Sequence, residues 1–290
     1  MIKRIIRLIL RCKKDETIND AIYRHKVDIS KYFYKKKYNK NDLRKVLMRA
    51  GIKKNDNIMI HCGYKSFYNF YGTPNDVIDI ILDLIGKNGN LIMPCYGKNK
   101  FIFNVDDDKS ATGVLSECFR KRNGVIRSKG AHFSCAAYGK DKSYLTNDHE
   151  KSTYGFDQYS PYYKFVELNN SKIIMLGLGK KSVKLSLYHI PEMILLENSE
   201  FYKSIFKKKY TVTVTYMKNG KLEKVKHSNM LLRENTLPNR KEISKLYRQE
   251  FVKSYRISNL DIIVIDAKKA LKYIIDECNK GHYMIKQNKF

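Results

Sequence analysis

Three side chains that could cooperate in proton transfer occur at three-residue intervals near the middle of the chain. Ser186, His189 and Glu192 follow an apolar, strand-like run at residues 173–176, which ends in the Gly-Leu-Gly turn 177–179. If the segment is helical, the i, i+3 spacing places all three side chains on one face. A hydroxyl, an imidazole that titrates near neutral pH and a carboxylate that fixes its tautomer are groups that general-base catalysis uses.

The spacing of this trio leaves a second interpretation open. Pro191 lies between His189 and Glu192, and proline disfavours a regular helix interior although a first turn tolerates it. A histidine and a glutamate at this spacing also occur as a purely structural pair on a surface or in a core. The trio therefore needs supporting features elsewhere in the chain.

The composition indicates a globular protein. The chain has 290 residues, of which 43% are hydrophobic and 30% charged, enough for one large domain or two small ones. No apolar run approaches the ~18 residues that cross a bilayer. The cysteines form no CxxC pair, which argues against a disulfide scaffold or zinc ribbon and for a reducing, cytoplasmic location. Cys62 and Cys95 are also candidate thiol nucleophiles, although a cysteine is more often a buried structural residue.

The net charge of +28 is extreme. It favours a polyanionic ligand such as a phosphate-rich molecule, an anionic lipid or a nucleic acid. The alternative is a coding bias towards lysine, with the side chains simply solvated. The lysines are spread along the chain and no common nucleic-acid-binding motif is present, so nucleic acid is not expected as a partner.

Residues 1–40 form a basic amphipathic N-terminal extension. Isoleucines alternate with Lys3, Arg7, Arg11 and Lys14 at helical spacing, a pattern typical of helices that lie on anionic membranes. The arginines interrupt the apolar run and no small-residue cleavage site follows, which disfavours a signal peptide. The pattern has two interpretations. The helix packs on its own domain, or it makes peripheral contact with the inner face of the membrane.

The rest of the chain, residues 41–290, reads as one α/β domain. A strand at 58–60, a helix opening at Thr73-Pro74 and a strand at 91–94 form a βαβ unit, which predicts parallel pairing. We expect a central mixed or mostly parallel sheet flanked by helices, with a small antiparallel appendage near residues 205–230. Other elements are expected as a helix at 41–50 with Asn41 as its cap, a loop at 99–110 whose aspartates are solvated, a helix at about 240–256, a strand at 260–265 and a helix at 267–279.

Several short segments, in order and at matching spacing, resemble one family. They are residues 51–61, the Gly72 loop with its helix, and 89–94, 112–113, 127–128, 134–139, 160–161, 176–179, 186–192 and 264–267. Together these segments resemble the antibiotic N-acetyltransferase family of the aminoglycoside 3-N-acetyltransferase type, which is distinct from the GNAT acetyltransferases. The likeness covers roughly residues 43–275.

The resemblance implies an acetyl-CoA-type acyl donor, an amine acceptor, no metal, and a sheet flanked by helices. His189 and Glu192 match the catalytic histidine and glutamate, and Ser186 stands where a threonine is usual. The segments that surround the CoA pantetheine and phosphates supply the expected cofactor-binding residues, which are His61, Cys62, Gly63, Tyr64, Gly72, Thr73, Arg127, Ser128, Ser134 and Ser160.

The chain also departs from the family pattern. Cys62 and Gly63 replace the usual hydroxyl residues, and Gly130-Ala131 replace a usual His-Pro, with His132 nearby. Acidic residues for a polycationic drug are not evident, and a strongly basic protein would repel one.

We therefore expect N-acylation of an amino sugar that is nucleotide-linked and used in surface glycan synthesis. An aminoglycoside 3-N-acetyltransferase that confers antibiotic resistance is the alternative. An alternative of another class is a catalytically inactive basic binding protein at a membrane surface. The expected partners are acyl-CoA and an amine-bearing sugar. The sequence does not decide between a monomer and a homodimer.

Overall fold

The structure is a computed structural model that describes residues 2–14, 16, 18–99, 101–179, 182–207 and 209–288. None of the helices in these residues combines the length and the apolar content that a membrane crossing requires. The α-helices are α1 (Ile2–Ile9), α2 (Ile18–Phe33), α3 (Lys40–Arg49), α4 (Pro74–Ile85), α5 (Val114–Arg120), α6 (Lys142–Thr146), α7 (Pro161–Glu167), α8 (Ile190–Ile194), α9 (Glu200–Ile205), α10 (Arg240–Leu246) and α11 (Ala267–Asn279).

The strands form one large sheet and two small ones. They are β1 (Asn57–Cys62), β2 (Asn90–Pro94), β3 (Ile102–Asn104), β4 (Ile126–Arg127), β5 (Cys135–Gly139), β6 (Ser171–Leu176), β7 (Tyr210–Lys218), β8 (Lys221–Asn229), β9 (Thr236–Pro238), β10 (Val252–Ile257), β11 (Leu260–Asp266) and β12 (Ile285–Gln287). Short 3-10 turns span Tyr64–Phe67, His149–Lys151 and Ser186–His189.

The large sheet is mixed, with a parallel centre. Its strand order is β10-β11-β6-β1-β2-β5-β4. Strand β1 pairs in parallel with β2 and β6, whereas the flanking pairs β6–β11, β10–β11, β2–β5 and β4–β5 are antiparallel. The expectations of an α/β fold with a mixed sheet, and of a parallel βαβ unit across β1 and β2, are confirmed.

Side chains alternate between two apolar layers, one on each face of this sheet. Met59 of β1 packs in the same cluster as Ile173 and Met175 of β6, whereas Ile58 and Ile60 pack in the opposite cluster. Helices α7, α8 and α11 cover the first face, and α3, α4 and α5 cover the second. Because successive strand residues point to opposite faces, a strand that is apolar throughout requires helices on both sides.

Helix α4 begins where the sequence predicts. The hydroxyl of Thr73 accepts the N–H of Asp76 at 3.2 Å, and the Asp76 carboxylate accepts the N–H of Thr73 at 2.7 Å. This reciprocal capping box satisfies two N–H groups that the helix itself leaves free. Helix α3 is capped in the same way by Asn39 with Asp42, so the expected cap at Asn41 is wrong by two residues.

Two predicted elements differ from the structure. The helix expected at about 240–256 ends at Leu246, and β10 follows as an edge strand antiparallel to β11. The loop expected at 99–110 contains β3, which adds in parallel to β7 of the β7–β8 hairpin. The small appendage is thus a three-stranded sheet rather than a purely antiparallel one. The pairing of β3 with β7 joins segments far apart in the chain, which local propensity does not encode, whereas β10 and β11 form a hairpin.

The N-terminal extension packs on the core through polar contacts. The Tyr23 hydroxyl of α2 lies 2.9 Å from Ser66 Oγ, and Ser66 Oγ donates to the Gly177 carbonyl at 2.8 Å. Helix α1 is tied to α2 by Arg24 and His25, whose ring nitrogen Nε2 lies 2.8 Å from the Leu10 carbonyl. The extension therefore supports the loop after β1.

A buried histidine fixes the segment between β4 and β5. Ser128 Oγ accepts the N–H of Cys135 at 2.9 Å and lies 2.7 Å from Nδ1 of His149. A Cβ atom at Gly130 would lie 2.5 Å from the His149 ring, so only glycine fits there. Burial, with nearby positive charges including Lys164, lowers the pKa of His149 to about 3.

Because the unfolded chain protonates this histidine near pH ~6.5, acidification favours unfolding. Its contribution is complete above about pH 6.5 and is lost as the pH falls towards 3. Chemical denaturation at a series of pH values should show that His149→Gln flattens the dependence of the unfolding free energy on pH between 6.5 and 4. The difference in slope is at most about 1.4 kcal/mol per pH unit. An unchanged slope in His149→Gln would contradict this account.

Candidate active site

A cavity of about 350 Å³ opens at the carboxyl ends of the parallel strands. His61 and Cys62 at the end of β1, Met93 and Pro94 of β2, and Leu178 after β6 line it. Ligands of open α/β sheets bind outside the carboxyl ends of the strands, and the volume is that of a small-molecule site. The cavity is therefore the candidate active site.

The His189–Glu192 pair lies at this cavity. The 3-10 turn Ser186–His189 leads directly into α8, so Pro191 falls in the first helical turn, where its missing N–H is not needed. His189 Nδ1 lies 2.7 Å from Glu192 Oε1, and the Glu192 side chain is fully buried whereas 18% of the His189 side chain is exposed. Glu192 thus orients His189 from behind and is not positioned to contact an acceptor.

Aromatic rings enclose the imidazole. The ring centroid of Phe156 lies 5.0 Å from that of His189, and those of Tyr188 and Phe133 lie at 4.3 and 6.3 Å. These rings fix the plane of the imidazole and keep water from the Glu192 carboxylate. With Nδ1–H donated to Glu192, the neutral ring presents Nε2 as its proton acceptor.

Ser186 does not join the His189–Glu192 pair but contacts β1. Its Oγ lies 3.0 Å from Nε2 of His61 and 3.6 Å from the sulfur of Met59. Residues 59 and 61 share one face of the strand because side chains alternate. Burial lowers the pKa of His61 to about 4, so this ring is neutral at pH 7 and can exchange a hydrogen bond with the hydroxyl.

Burial raises the pKa of the Cys62 thiol far above its usual range, and it also raises the pKa of Cys95. A thiol nucleophile reacts as the thiolate, which both environments disfavour. Their burial therefore makes the thiols less suited than the histidine to be the reactive group.

Four of the predicted cofactor-binding residues lie in the loop between β1 and α4, namely Gly63, Tyr64, Gly72 and Thr73. A Cβ atom at Gly63 would lie 2.8 Å from the Gly177 carbonyl oxygen, so β1 and β6 touch at their ends. Tyr64 stacks on Phe67 at 4.9 Å. Gly72 packs against a ring of the same loop, and Thr73 caps α4. These residues shape the loop, and their contact with a cofactor stays a prediction.

The remaining predicted residues are buried behind the cavity wall. Arg127 Nε and Ser134 Oγ both donate to the Cys95 carbonyl, at 2.7 and 2.8 Å. Ser160 Oγ accepts the N–H of Tyr163 at 3.2 Å as the cap of α7, and Ser128 holds His149 as described above. In the structure these side chains hold the backbone beside the cavity instead of lining it.

Sequence reasoning missed part of the lining. Thr112 and Ser116 form a hydroxyl pair 2.6 Å apart on the far wall, and Thr112 Oγ1 donates to the Pro94 carbonyl at 2.6 Å. Thr112 belonged to a segment that carried the family resemblance, whereas nothing marked Ser116. Lys184 also lines the cavity and brings a positive charge to it.

Comparisons with known proteins agree with this geometry. The family model for aminoglycoside 3-N-acetyltransferase matches residues 59–278. The structure of AAC-VIa bound to sisomicin has a TM-score of 0.69 and 20% identity, covering 85% of this chain and 99% of that one. AAC-IIIb in a binary complex with CoASH has a TM-score of 0.69 and 18% identity, covering 84% and 97%.

The aminoglycoside acetyltransferase AAC(3)-Xa has a TM-score of 0.66 and 18% identity, covering 87% and 96%. At these identities the structural likeness is one of fold. A search of curated proteins finds no match. The family model covers well over half of the chain and confirms the resemblance found in the sequence, so the chain belongs to the aminoglycoside 3-N-acetyltransferase family.

Proposed function

We propose that this protein is an acetyl-CoA-dependent N-acetyltransferase that acts on an amine of an amino sugar, with an aminoglycoside as the favoured acceptor. The observation that carries the proposal is the pairing of His189 with the buried Glu192 at a cavity on the carboxyl ends of parallel strands. Family membership supports the reaction, and the CoASH bound to AAC-IIIb supports the donor.

In this reaction His189 is the general base. Its Nε2 takes a proton from the acceptor amine as the amine nitrogen attacks the thioester carbonyl carbon. The carbon–sulfur bond then breaks, and the proton on Nε2 passes to the CoA sulfur, which leaves as the thiol. Glu192 stabilises the transient imidazolium through Nδ1 without exchanging a proton.

The Ser186–His61 pair is suited to the oxygen of the tetrahedral intermediate. If the neutral His61 donates its Nε2–H to Ser186 Oγ, the serine hydroxyl can turn its hydrogen from the Met59 sulfur, 3.6 Å away, into the cavity. A preorganised donor of this kind is typically worth several kcal/mol to the transition state. We propose that His61 and Cys62 contact the donor directly and that the loops at 63–73, 127–134 and 160 shape its path.

The comparisons favour an aminoglycoside acceptor over the nucleotide-linked amino sugar expected from the sequence, which none of them supports. One observation keeps the nucleotide-linked sugar as a second candidate. Among the described residues that line the cavity, none is acidic and Lys184 is basic. With a net charge of +28, the protein attracts anionic acceptors and repels polycationic ones.

An acceptor panel separates the candidates. Purified protein with acetyl-CoA is supplied with sisomicin, with gentamicin or with a nucleoside-diphosphate-linked amino sugar, and the release of CoA thiol is recorded. Release with an aminoglycoside supports the proposal, and release with only the nucleotide-linked sugar transfers it to the second candidate. No release with any acceptor, together with no thermal shift from acetyl-CoA, would favour the inactive binding protein.

The role of His189 is tested in the same assay. His189→Ala should lower kcat/KM by about 10²-fold or more, since a positioned general base commonly contributes ~10²–10⁴. The matched control is His282→Ala, because His282 forms a similar pair with Glu277 at 2.9 Å on an exposed surface. The assignment is wrong if His189→Ala keeps most of the activity.

We also propose that the N-terminal extension contacts anionic membrane surfaces. The apolar residues of α1 and α2 repeat at i, i+3, i+4 and stay exposed, and they are Ile5, Leu8 and Ile9 of α1 and Ile29, Tyr32 and Phe33 of α2. Exposed basic residues stand beside them, including Lys3, Arg4, Lys26 and Lys31. Since α1 is held by polar contacts with its apolar stripe outward, the stripe suits an interfacial position.

Flotation with lipid vesicles tests this surface. The protein should float with phosphatidylglycerol-containing vesicles at low salt, and not with phosphatidylcholine alone, because anionic lipid attracts each lysine or arginine by about 1 kcal/mol. Leu8→Asp with Ile9→Asp should abolish flotation. The control is Met217→Asp with Leu222→Asp, an exposed cross-strand pair on the β7–β8 hairpin. Protein that stays unbound with anionic vesicles would refute the proposal.

A further inference from the structure

Only one of the two Glu192 carboxylate oxygens is hydrogen-bonded to His189. Oε1 faces His189 Nδ1 at 2.7 Å, while Oε2 is buried without a hydrogen-bond partner among the described residues. Glu192 as a whole is 0% exposed. An unpaired oxygen of a buried carboxylate is costly, so a donor for Oε2 is expected within the surrounding core.

Three buried tyrosines lie close enough to Glu192 for its charge to act on their hydroxyls. Two of those hydroxyls already have partners. Tyr188 Oη donates to the Val183 carbonyl at 3.0 Å, and Tyr202 Oη lies 3.1 Å from Cys278 Sγ. Tyr154 Oη is buried and, like Glu192 Oε2, has no hydrogen-bond partner among the described residues. Tyr154 Oη is thus the free donor near the free acceptor Glu192 Oε2, close enough for a small side-chain rotation to join them.

The ring of Tyr154 is held rigidly in this position. It is 1% exposed and packs edge-on against Phe206, with centroids 4.8 Å apart, and in a tilted arrangement against Phe156 at 5.5 Å. Its centroid lies 6.4 Å from that of His189, at an interplanar angle of 74°. Burial raises the pKa of the Tyr154 hydroxyl, and the Glu192 charge raises it further, so the hydroxyl keeps its hydrogen and is a permanent donor.

We propose that Tyr154 is a positioning residue whose hydroxyl donates to Glu192 Oε2 and thereby holds the carboxylate that orients His189. The inference rests on the proposed function, because it assigns Tyr154 a part in the same proton transfer. Tyr154 acts only through Glu192 and contacts neither the donor nor the acceptor.

Loss of the Tyr154 hydroxyl is expected to change the pH dependence of the reaction. The hydroxyl stabilises the ionised carboxylate most when His189 is neutral. When His189 is protonated, the imidazolium itself balances the negative charge of the carboxylate, and the hydroxyl matters less. Without the hydroxyl, the His189–Glu192 pair retains its extra proton to higher pH, whichever of the two residues carries it. The hydroxyls of Tyr188 and Tyr202 and the thiol of Cys278 also face Glu192, and all are neutral in this range.

The test is the pH profile of kcat/KM for the wild type and for Tyr154→Phe, which removes only the hydroxyl. The acidic limb should move up by about one pH unit, as expected for a hydrogen bond to a charged group. The control is Tyr38→Phe, because Tyr38 is similarly buried, lies in the opposite apolar layer and has a hydroxyl without a hydrogen-bond partner among the described residues. A uniform loss at every pH, or no change, would overturn the proposal.

A double-mutant cycle gives a second readout. In a Glu192→Gln background, Tyr154→Phe should have little further effect, because residues in one network are not additive. Full additivity would overturn the proposal.

The titration of the His189 ring by ¹⁵N NMR, with and without the Tyr154 hydroxyl, decides the question without an assay of turnover. An upward move of its midpoint in Tyr154→Phe supports the positioning role even if no acceptor is acetylated. In that case the proposed function fails while this inference stands, and an unmoved midpoint would refute the inference alone.

Discussion

The fully buried Glu192 carboxylate is the constraint on which the candidate active site depends. A buried charge is tolerated only where its oxygens are hydrogen-bonded, so the rings around it must supply donors in fixed places. His189 supplies one at 2.7 Å, and this fixes the tautomer that leaves Nε2 facing the cavity. In the proposed mechanism the carboxylate thus makes His189 an oriented base, and the aromatic core around the carboxylate keeps water from the pair.

The sheet brings the other groups to the same place. Strands β1, β2 and β6 run in parallel, so their carboxyl ends meet at one edge, and His61 from β1 reaches Ser186 after β6. The close contact of Gly63 with Gly177 locks the two strand ends together. Ser66 and Tyr23 extend this contact to α2. The N-terminal extension is therefore part of the support of the cavity as well as a candidate membrane surface.

Much of the site was predictable because its signals are local. The i, i+3 spacing of His189 and Glu192 and the position of Pro191 in a first turn both follow from a short segment. The Ser186–His61 contact joins residues far apart in the chain, and spacing could not reveal it. Arg127 and Ser134 show the opposite limit, because a family pattern can mark a residue without revealing its contacts. Both belong to segments of that pattern and were expected near the cofactor, yet their side chains donate to the Cys95 carbonyl. The sequence predicts the end of a helix at β10, whereas the segment pairs with β11 across the turn at residues 258–259.

The central claim is that the buried carboxylate makes His189 a catalytic base. The most direct measurement is the single-turnover rate of amine acetylation by Glu192→Gln, with acetyl-CoA affinity measured in parallel. Glutamine keeps the shape and a hydrogen bond but removes the charge that stabilises the imidazolium. We predict a fall of about 10²-fold or more in the rate with unchanged affinity for acetyl-CoA, whereas a wild-type rate in Glu192→Gln would contradict the account.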